Sequence, residues 1–300
     1  IDFEKSLELK PDFVDSIHQL GHLMNDQFAD YKSALAYFTS AIKITPNEAK
    51  YYWDRGDVYK NSGFYQEALE DYNTSIKLEP SDAAYLRRGI LYNDMYKYDE
   101  AVKNYNSAIQ LNPHDAIAYL NRGLCYERTY RNKEAVEDYY NAIQEGFYDP
   151  AKVYRDIALI KLNSLSQHQE ALEDLEKAIH LDPQNGESYY FRALVHFRIK
   201  NTQKALEDLN MSLAYKYEDI ELFYIRGLVH RALQNYSAAI TDFSTVISQD
   251  PSRADAYYYR GMMEQEINKL EEALQDFKKA QSLGYAEAED QILAITLKLK

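Results

Sequence analysis

Cysteine is nearly absent from this chain of 300 residues. Cys125 stands alone, so no internal disulfide and no multi-cysteine metal site can be built. Glycine and proline are scarce too, at 10 and 7 residues, about half of average usage. That excludes a collagen-like repeat, a Gly/Ser linker and a loop-rich β-sandwich. Positive charge is in deficit. Lys plus Arg number 34 against 48 Asp plus Glu, a net charge of −14, whereas nucleic acids and anionic membranes call for clustered Lys and Arg. No apolar run approaches the ~18 residues of a membrane span. No charged-then-apolar-then-small export signal is read near Ile1; because the first residue is not Met, a signal encoded further upstream stays compatible, and the compartment is left open.

Aromatic residues are what the chain has in excess: 29 Tyr, 11 Phe and 1 Trp, within a hydrophobic fraction of 46%. Three rulers of about 34 residues order them. Gly21, Gly56, Gly89, Gly123, Gly227 and Gly261 form the first, with Ala158 and Ala193 filling the two gaps. Ala34, Ala68, Ala101, Ala135, Ala171, Ala205, Ala239 and Ala273 form the second, each followed four residues later by a bulky apolar side chain from Phe38 to Phe277. Pro11, Pro46, Pro80, Pro113, Pro183 and Pro251 form the third, and Phe147, Tyr217 and Tyr285 stand where proline is missing. Spacings of three and four place the periodic residues on one helix face, and the terminal proline stops the helix. Each period therefore reads as two helices that approach closely at the Gly or Ala.

This pattern resembles the tetratricopeptide repeat, with its W-x2-L-G-x2-Y…A-x3-F…P signature, over essentially the whole chain. The resemblance implies a single all-α, right-handed superhelical solenoid over residues 1–300. Its repeats fall at about 14–46, 49–80, 82–113, 116–147, 151–183, 186–217, 220–251 and 254–285. Phe3, Ser6 and Pro11 match the end of a partial repeat over 1–11, so the protein is expected to extend upstream. Residues 286–300 read as a capping helix, backed by polar residues, that closes the last open face. Two segments depart from the pattern. The fifth repeat has Ala158 for Gly and an insertion near 162–169, and the seam at 145–150 lacks the standard turn. A local change of pitch is expected there.

The usual Leu before the Gly is most often Arg here. Sixteen residues after it comes Asp, giving Arg55/Asp71, Arg122/Asp138, Arg192/Asp208, Arg226/Asp242 and Arg260/Asp276. Both charges vanish together in the first repeat, at Leu20 and Tyr37, while Arg88 faces Asn104 and Ile157 faces Asp174. Joint loss points to an ion pair between the two helices rather than an anion-binding ladder, because a desolvated Arg needs a carboxylate.

In this family the first helices line the concave surface, which is where a partner segment would sit. The last three repeats place Glu187, Tyr190, Leu194 and Phe197, then Glu221, Tyr224, Leu228 and Arg231, then Asp255, Tyr258, Met262 and Gln265 on that stripe. Tyrosine beside an aliphatic residue suits an interface, and the recurring acid suits a peptide with apolar and basic residues. Trp53 occupies the stripe in the second repeat, and the early repeats lack the Lys and Asn set with which some relatives clamp a terminal carboxylate. His18 and His22, at i and i+4 with Asp15 one turn earlier, are the one pair with metal-ligand spacing. Two histidines fall short of the four protein ligands of a structural zinc site, so no metal and no cofactor is assigned. His196 and His230 read as packing residues in a slot that is Tyr elsewhere. Neither a catalytic set nor a phosphate loop is present, and Cys125 between Leu124 and Tyr126 reads as inert. The sequence thus points to a non-catalytic protein-binding scaffold, without nucleic-acid or membrane partners. The alternative is the substrate-recruiting or regulatory arm of a larger enzyme. End-to-end self-association through an open terminal face is also compatible.

Overall fold

The computed structural model describes residues 14–299; the partial repeat assigned to 1–11 lies outside them. Among the described residues there are seventeen α-helices and no strand. The chain divides into two compact units, Ile1–Tyr148 and Asp149–Lys300.

In the first unit the helices are Val14–Asp26 (α1), Tyr31–Ile44 (α2), Ala49–Asn61 (α3), Tyr65–Leu78 (α4), Asp82–Asp94 (α5), Tyr98–Leu111 (α6), Ala116–Arg128 (α7) and Asn132–Gln144 (α8). In the second they are Pro150–Ile160 (α9), His168–Leu181 (α10), Gly186–Arg198 (α11), Thr202–Ala214 (α12), Ile220–Ala232 (α13), Tyr236–Gln249 (α14), Ala254–Glu266 (α15), Leu270–Ser282 (α16) and Ala288–Lys298 (α17). Consecutive helices pack as pairs, α1 with α2 through α15 with α16, and each second helix also packs on the first helix of the next pair within its unit.

The pairs close where a ring stands on a glycine. A β-carbon at Gly56 would lie 2.9 Å from the Tyr72 ring, and one at Gly227 would lie 2.8 Å from Phe243. The two pairs with alanine in the glycine slot carry the smaller Leu175 and Leu209 opposite it, and these pack with Ala158 and Ala193 in fully buried clusters. Ring size and backbone approach are thus matched within each pair. The small second-helix residues Ala41, Ser75, Ala108, Ala142, Ala178, Ser212 and Ala280 are all fully buried, leaving room for the neighbouring helix.

Two kinds of connection join successive pairs. Where proline is present it ends the helix. Where it is absent, Gly146, Lys216 and Gly284 take the left-handed conformation. The following aromatic then returns its N–H to the carbonyl five residues back: Phe147 to Ala142 at 2.9 Å, Tyr217 to Ser212 at 3.1 Å and Tyr285 to Ala280 at 3.0 Å. Proline has no N–H to make that bond. The insertion in the fifth pair becomes a π-helical turn, Lys161–Leu165, closed by Ser166 at φ 54°. One extra residue between Ala158 and Ala171 is what such a wide turn accommodates.

Helix α17 buries Ala288 and Ile295 against Phe277 and Ala280. Its outer side differs from the polar backing expected from the sequence: Leu293 and Leu297 remain 63% and 64% exposed. With only two of its side chains fully buried, an eleven-residue helix cannot turn all its leucines inward.

Candidate functional site

The recurrent arginines are structural. Arg55, Arg122, Arg192, Arg226 and Arg260 each grip the aspartate sixteen residues on through Nε and Nη2, at 2.6–2.9 Å. Burial lifts the Asp71 and Asp138 carboxyls above the ordinary range by more than their arginines lower them. The sequence missed a third partner. The remaining amino group reaches the second helix of the preceding pair: Arg55 donates to Thr39, Arg88 to Asn73, Arg122 to Asn106, Arg226 to Asn210 and Arg260 to Ser244, at 2.6–3.2 Å. These five arginines therefore each span three helices, while Arg192 bonds to Asp208. In the fifth pair the cation moves one turn along. Lys161, four residues after Ile157, donates to the fully buried Asp174 at 2.6 Å, and Lys177 donates to the other oxygen.

The same slot, three residues after the glycine or alanine, is Met24, Tyr59, Tyr92 and Tyr126 in the first unit and Lys161, His196, His230 and Glu264 in the second. His196 is 7% exposed, and burial holds both histidines below the ordinary imidazole value. Glu264 is 9% exposed with its Oε2 unpartnered; burial, then the nearby Asp276, pushes its carboxyl up to about 7.

On the first-helix face of the second unit, the tyrosines are seam residues as much as surface ones. Tyr190 is 8% exposed, with its ring 5.3 Å from that of Tyr217. Half-buried Tyr224 lies under the Arg253 guanidinium at 4.3 Å, and Tyr258 packs on Tyr285 at 4.7 Å. Leu194, Leu228 and Met262 are also half-buried. The acids already have cations: Arg155 pairs with Glu187 at 3.2 Å, and Arg253 binds both Glu221 and Asp255. Those arginines stand 32 residues from their glutamates, so no local motif announces them. Phe197, Leu228, Arg231, Ala232 and Tyr259 line a cleft of about 470 Å³ on this face. Tyr259 was not among the residues singled out from sequence; its neighbour Tyr258 carried the repeat register.

In the first unit Trp53 lies half-buried beneath the Arg87 guanidinium, 5.0 Å from its ring, and Arg87 is held by Asp57 at 2.9 Å. His18 and His22 do converge, but their carboxylate is Asp54 of α3, not Asp15. Cys125 is fully buried, and burial pushes its thiol up to about 12, away from nucleophilic chemistry. Among the described residues, no helix is long and apolar enough to cross a membrane.

Comparison with known proteins follows the same register. Family models described as tetratricopeptide or TPR repeats match residues 49–82, 89–129, 164–217 and 224–290. A 61-residue stretch is 41% identical to the Protein SGT1 homolog of Oryza sativa subsp. japonica, covering 20% of this chain and 17% of that protein. A 61-residue stretch is 39% identical to DnaJ homolog subfamily C member 7 of Mus musculus, covering 20% and 12%. The chain thus matches less than a fifth of the length of either relative. Among solved structures, the C-terminal part of a TPR repeat-containing protein from Cytophaga hutchinsonii superposes with a TM-score of 0.67 at 16% identity, over 81% of this chain and 96% of that one. A tetratricopeptide repeat protein from Parabacteroides merdae gives 0.57 at 20% identity, over 83% and 98%. YrrB, described as a TPR protein with an unusual peptide-binding site, gives 0.50 at 18% identity, over 66% and 97%. Helix pairs closed by ring on glycine, the 34-residue register and these matches lead to one conclusion: the chain belongs to the tetratricopeptide repeat family.

Proposed function

We propose that the chain is a non-catalytic protein-interaction scaffold whose second unit holds an extended or helical segment of a partner against its first-helix face. The observation that carries this reading is the cleft between Phe197, Leu228 and Tyr259, an apolar recess rimmed by the Arg231 guanidinium. Tyr224, Tyr258, Leu194 and Met262 would extend the contact along the face, with Tyr190 as its floor. A peptide-binding site in the structurally similar YrrB is consistent with this use of the fold. Apolar side chains of the partner carry the contact. Because Glu187 is paired with Arg155, and Glu221 and Asp255 share Arg253, a basic residue on the partner gains less from those acids than the sequence suggests. The overall charge of −14 still favours approach of basic segments at a distance.

The test is a peptide array probed with the full chain, using segments that carry two apolar residues one helical turn apart, with and without flanking Lys. Wild type and Leu228→Glu are compared after circular dichroism shows equal helicity. Specific binding weakened ~10-fold or more by Leu228→Glu, and unaffected by Trp53→Ala, supports the assignment. Binding that survives Leu228→Glu but falls with Trp53→Ala moves the site to the first unit, and binding indifferent to both removes it from the first-helix face.

A further inference from the structure

We infer that His18, His22 and Asp54 form a binding site for a divalent transition ion of the zinc class, closed between the first helices of the first two pairs. His18 and His22 lie one turn apart on α1, and Asp54 is supplied by α3. Three ligand atoms meet there. His18 Nε2 is 2.6 Å from Asp54 Oδ2, His22 Nε2 is 3.4 Å from the same oxygen, and the two Nε2 atoms are 3.2 Å apart. With metal–nitrogen and metal–oxygen bonds of about 2.0–2.1 Å, a tetrahedral ion holds its ligands about 3.3 Å from one another. Two of the three edges already have that length. The third, His18 to Asp54, has to open by roughly 0.7 Å, from a hydrogen bond to a shared ligation.

The surroundings favour a cation of this kind. Two imidazole nitrogens and one carboxylate suit zinc and its transition-metal neighbours, whereas Mg2+ and Ca2+ prefer oxygen alone. The two facing nitrogens, 3.2 Å apart, share one proton as donor and acceptor, and a bound cation would take that proton's place. The walls are aromatic: Phe38 lies 5.6 Å and 5.3 Å from the two imidazoles, and Tyr51 lies 4.9 Å from His18. Side chains of His18 and Asp54 are 11% and 9% exposed, while His22, at 36%, leaves a way in from solvent. The other ring nitrogen of His22 faces Asp26 at 4.0 Å, on the side where an outer carboxylate orients a metal-bound imidazole. Three protein ligands leave a fourth position for water.

Ligation would tie α1 to α3 directly, beside the Arg55 to Thr39 hydrogen bond that already joins the second pair to the first, in a pair where Leu20 and Tyr37 replace the internal arginine–aspartate contact. The inference is independent of the peptide-binding reading, which concerns the second unit.

The experiment uses the full chain, purified without a histidine tag and stripped with a chelator. It is dialysed against Zn2+ alone and, separately, Co2+ alone, with metal content and Co2+ visible absorption as readouts. One ion per chain with a tetrahedral Co2+ spectrum is the expected result. His22→Ala and Asp54→Asn should each weaken binding ~10-fold or more. The control His114→Ala, whose imidazole is 82% exposed in a separate ion pair with Glu145, should bind as wild type. His22 is partly exposed, so its removal leaves the helix intact, which circular dichroism checks. Absence of stoichiometric binding, or equal binding by His22→Ala and Asp54→Asn, overturns the site.

Discussion

The Tyr105 ring lies so close over Gly89 that a β-carbon on the glycine would stand 2.6 Å from its Cε1. Tyr105 is itself fully buried and cannot retreat. Gly89→Ala is therefore expected to destabilise the chain by about 1–3 kcal/mol through overpacking, despite the better helix propensity of alanine. Adding Tyr105→Leu should recover most of that loss, because Ala158 with Leu175 and Ala193 with Leu209 are the same combination already present in this chain. Urea-unfolding midpoints of the two variants decide it; a double variant no more stable than the single one contradicts the matching of ring to glycine.

The clamp at Arg226 carries a different expectation. Asp242 is buried with side-chain exposure of 3%, and both its oxygens are held by Arg226 at 2.6–2.9 Å. Arg226→Leu should cost about 3 kcal/mol by stranding that carboxylate. Arg226→Leu with Asp242→Leu should cost less than the single substitution. Additive losses in a thermal-unfolding cycle would show that the two charges act separately.

Glu264 links stability to pH. Its carboxyl is pushed up to about 7 in the fold, by burial first and Asp276 second, against an ordinary value of 4.5. The folded chain thus holds a proton that the unfolded chain releases between those values, so this group's contribution is complete below 4.5 and is lost as pH rises through about 7. Glu264→Gln should match wild type near pH 4.5 and exceed it by about 1–2 kcal/mol at pH 8. Chemical unfolding of both proteins at the two pH values provides the measurement, and a constant difference across them refutes the assignment.

Tyr130 sits in the turn between α7 and α8 at φ 59°, with 87% of its surface exposed. The left-handed conformation strains a side chain that packs on little in return. Tyr130→Gly should gain about 0.5–1 kcal/mol after the entropy of the freer unfolded chain is set against the relieved strain. The reverse change at the equivalent turn, Gly63→Tyr at φ 81°, should lose a similar amount. Denaturant midpoints that move the other way would show that these turn tyrosines make contacts worth more than the strain.

Reading the sequence recovers what recurs and misses what happens once. The arginine–aspartate pairs are legible because helix geometry fixes one spacing and six pairs repeat or systematically vary it. Their third contact, to Asn73 or Asn106, is hidden because Thr39 and Ser244 fill the same place with different chemistry. His18 and His22 announce themselves at i and i+4, yet Asp54 does not, since it comes from another helix 36 residues from His18 with nothing local to mark it. The tyrosines of the second unit stand in a clear register, but register does not decide whether a ring faces outward or leans on its neighbour. Tyr217 decides that for Tyr190, and Arg253 for Tyr224.

The third contacts of Arg55, Arg88, Arg122, Arg226 and Arg260 all reach backward, from a first helix to the second helix of the pair before it. This gives the chain a direction. A fragment cut after α4 or α6 keeps every clamp it contains complete, because the donor is lost together with its helix. A fragment that instead starts at α5 keeps Arg88 but loses Asn73, leaving a donor built for protein to find water. Shortening from one end is therefore a subtraction, while shortening from the other is also an injury, and growth of the array from its N-terminal side completes each joint as it is added.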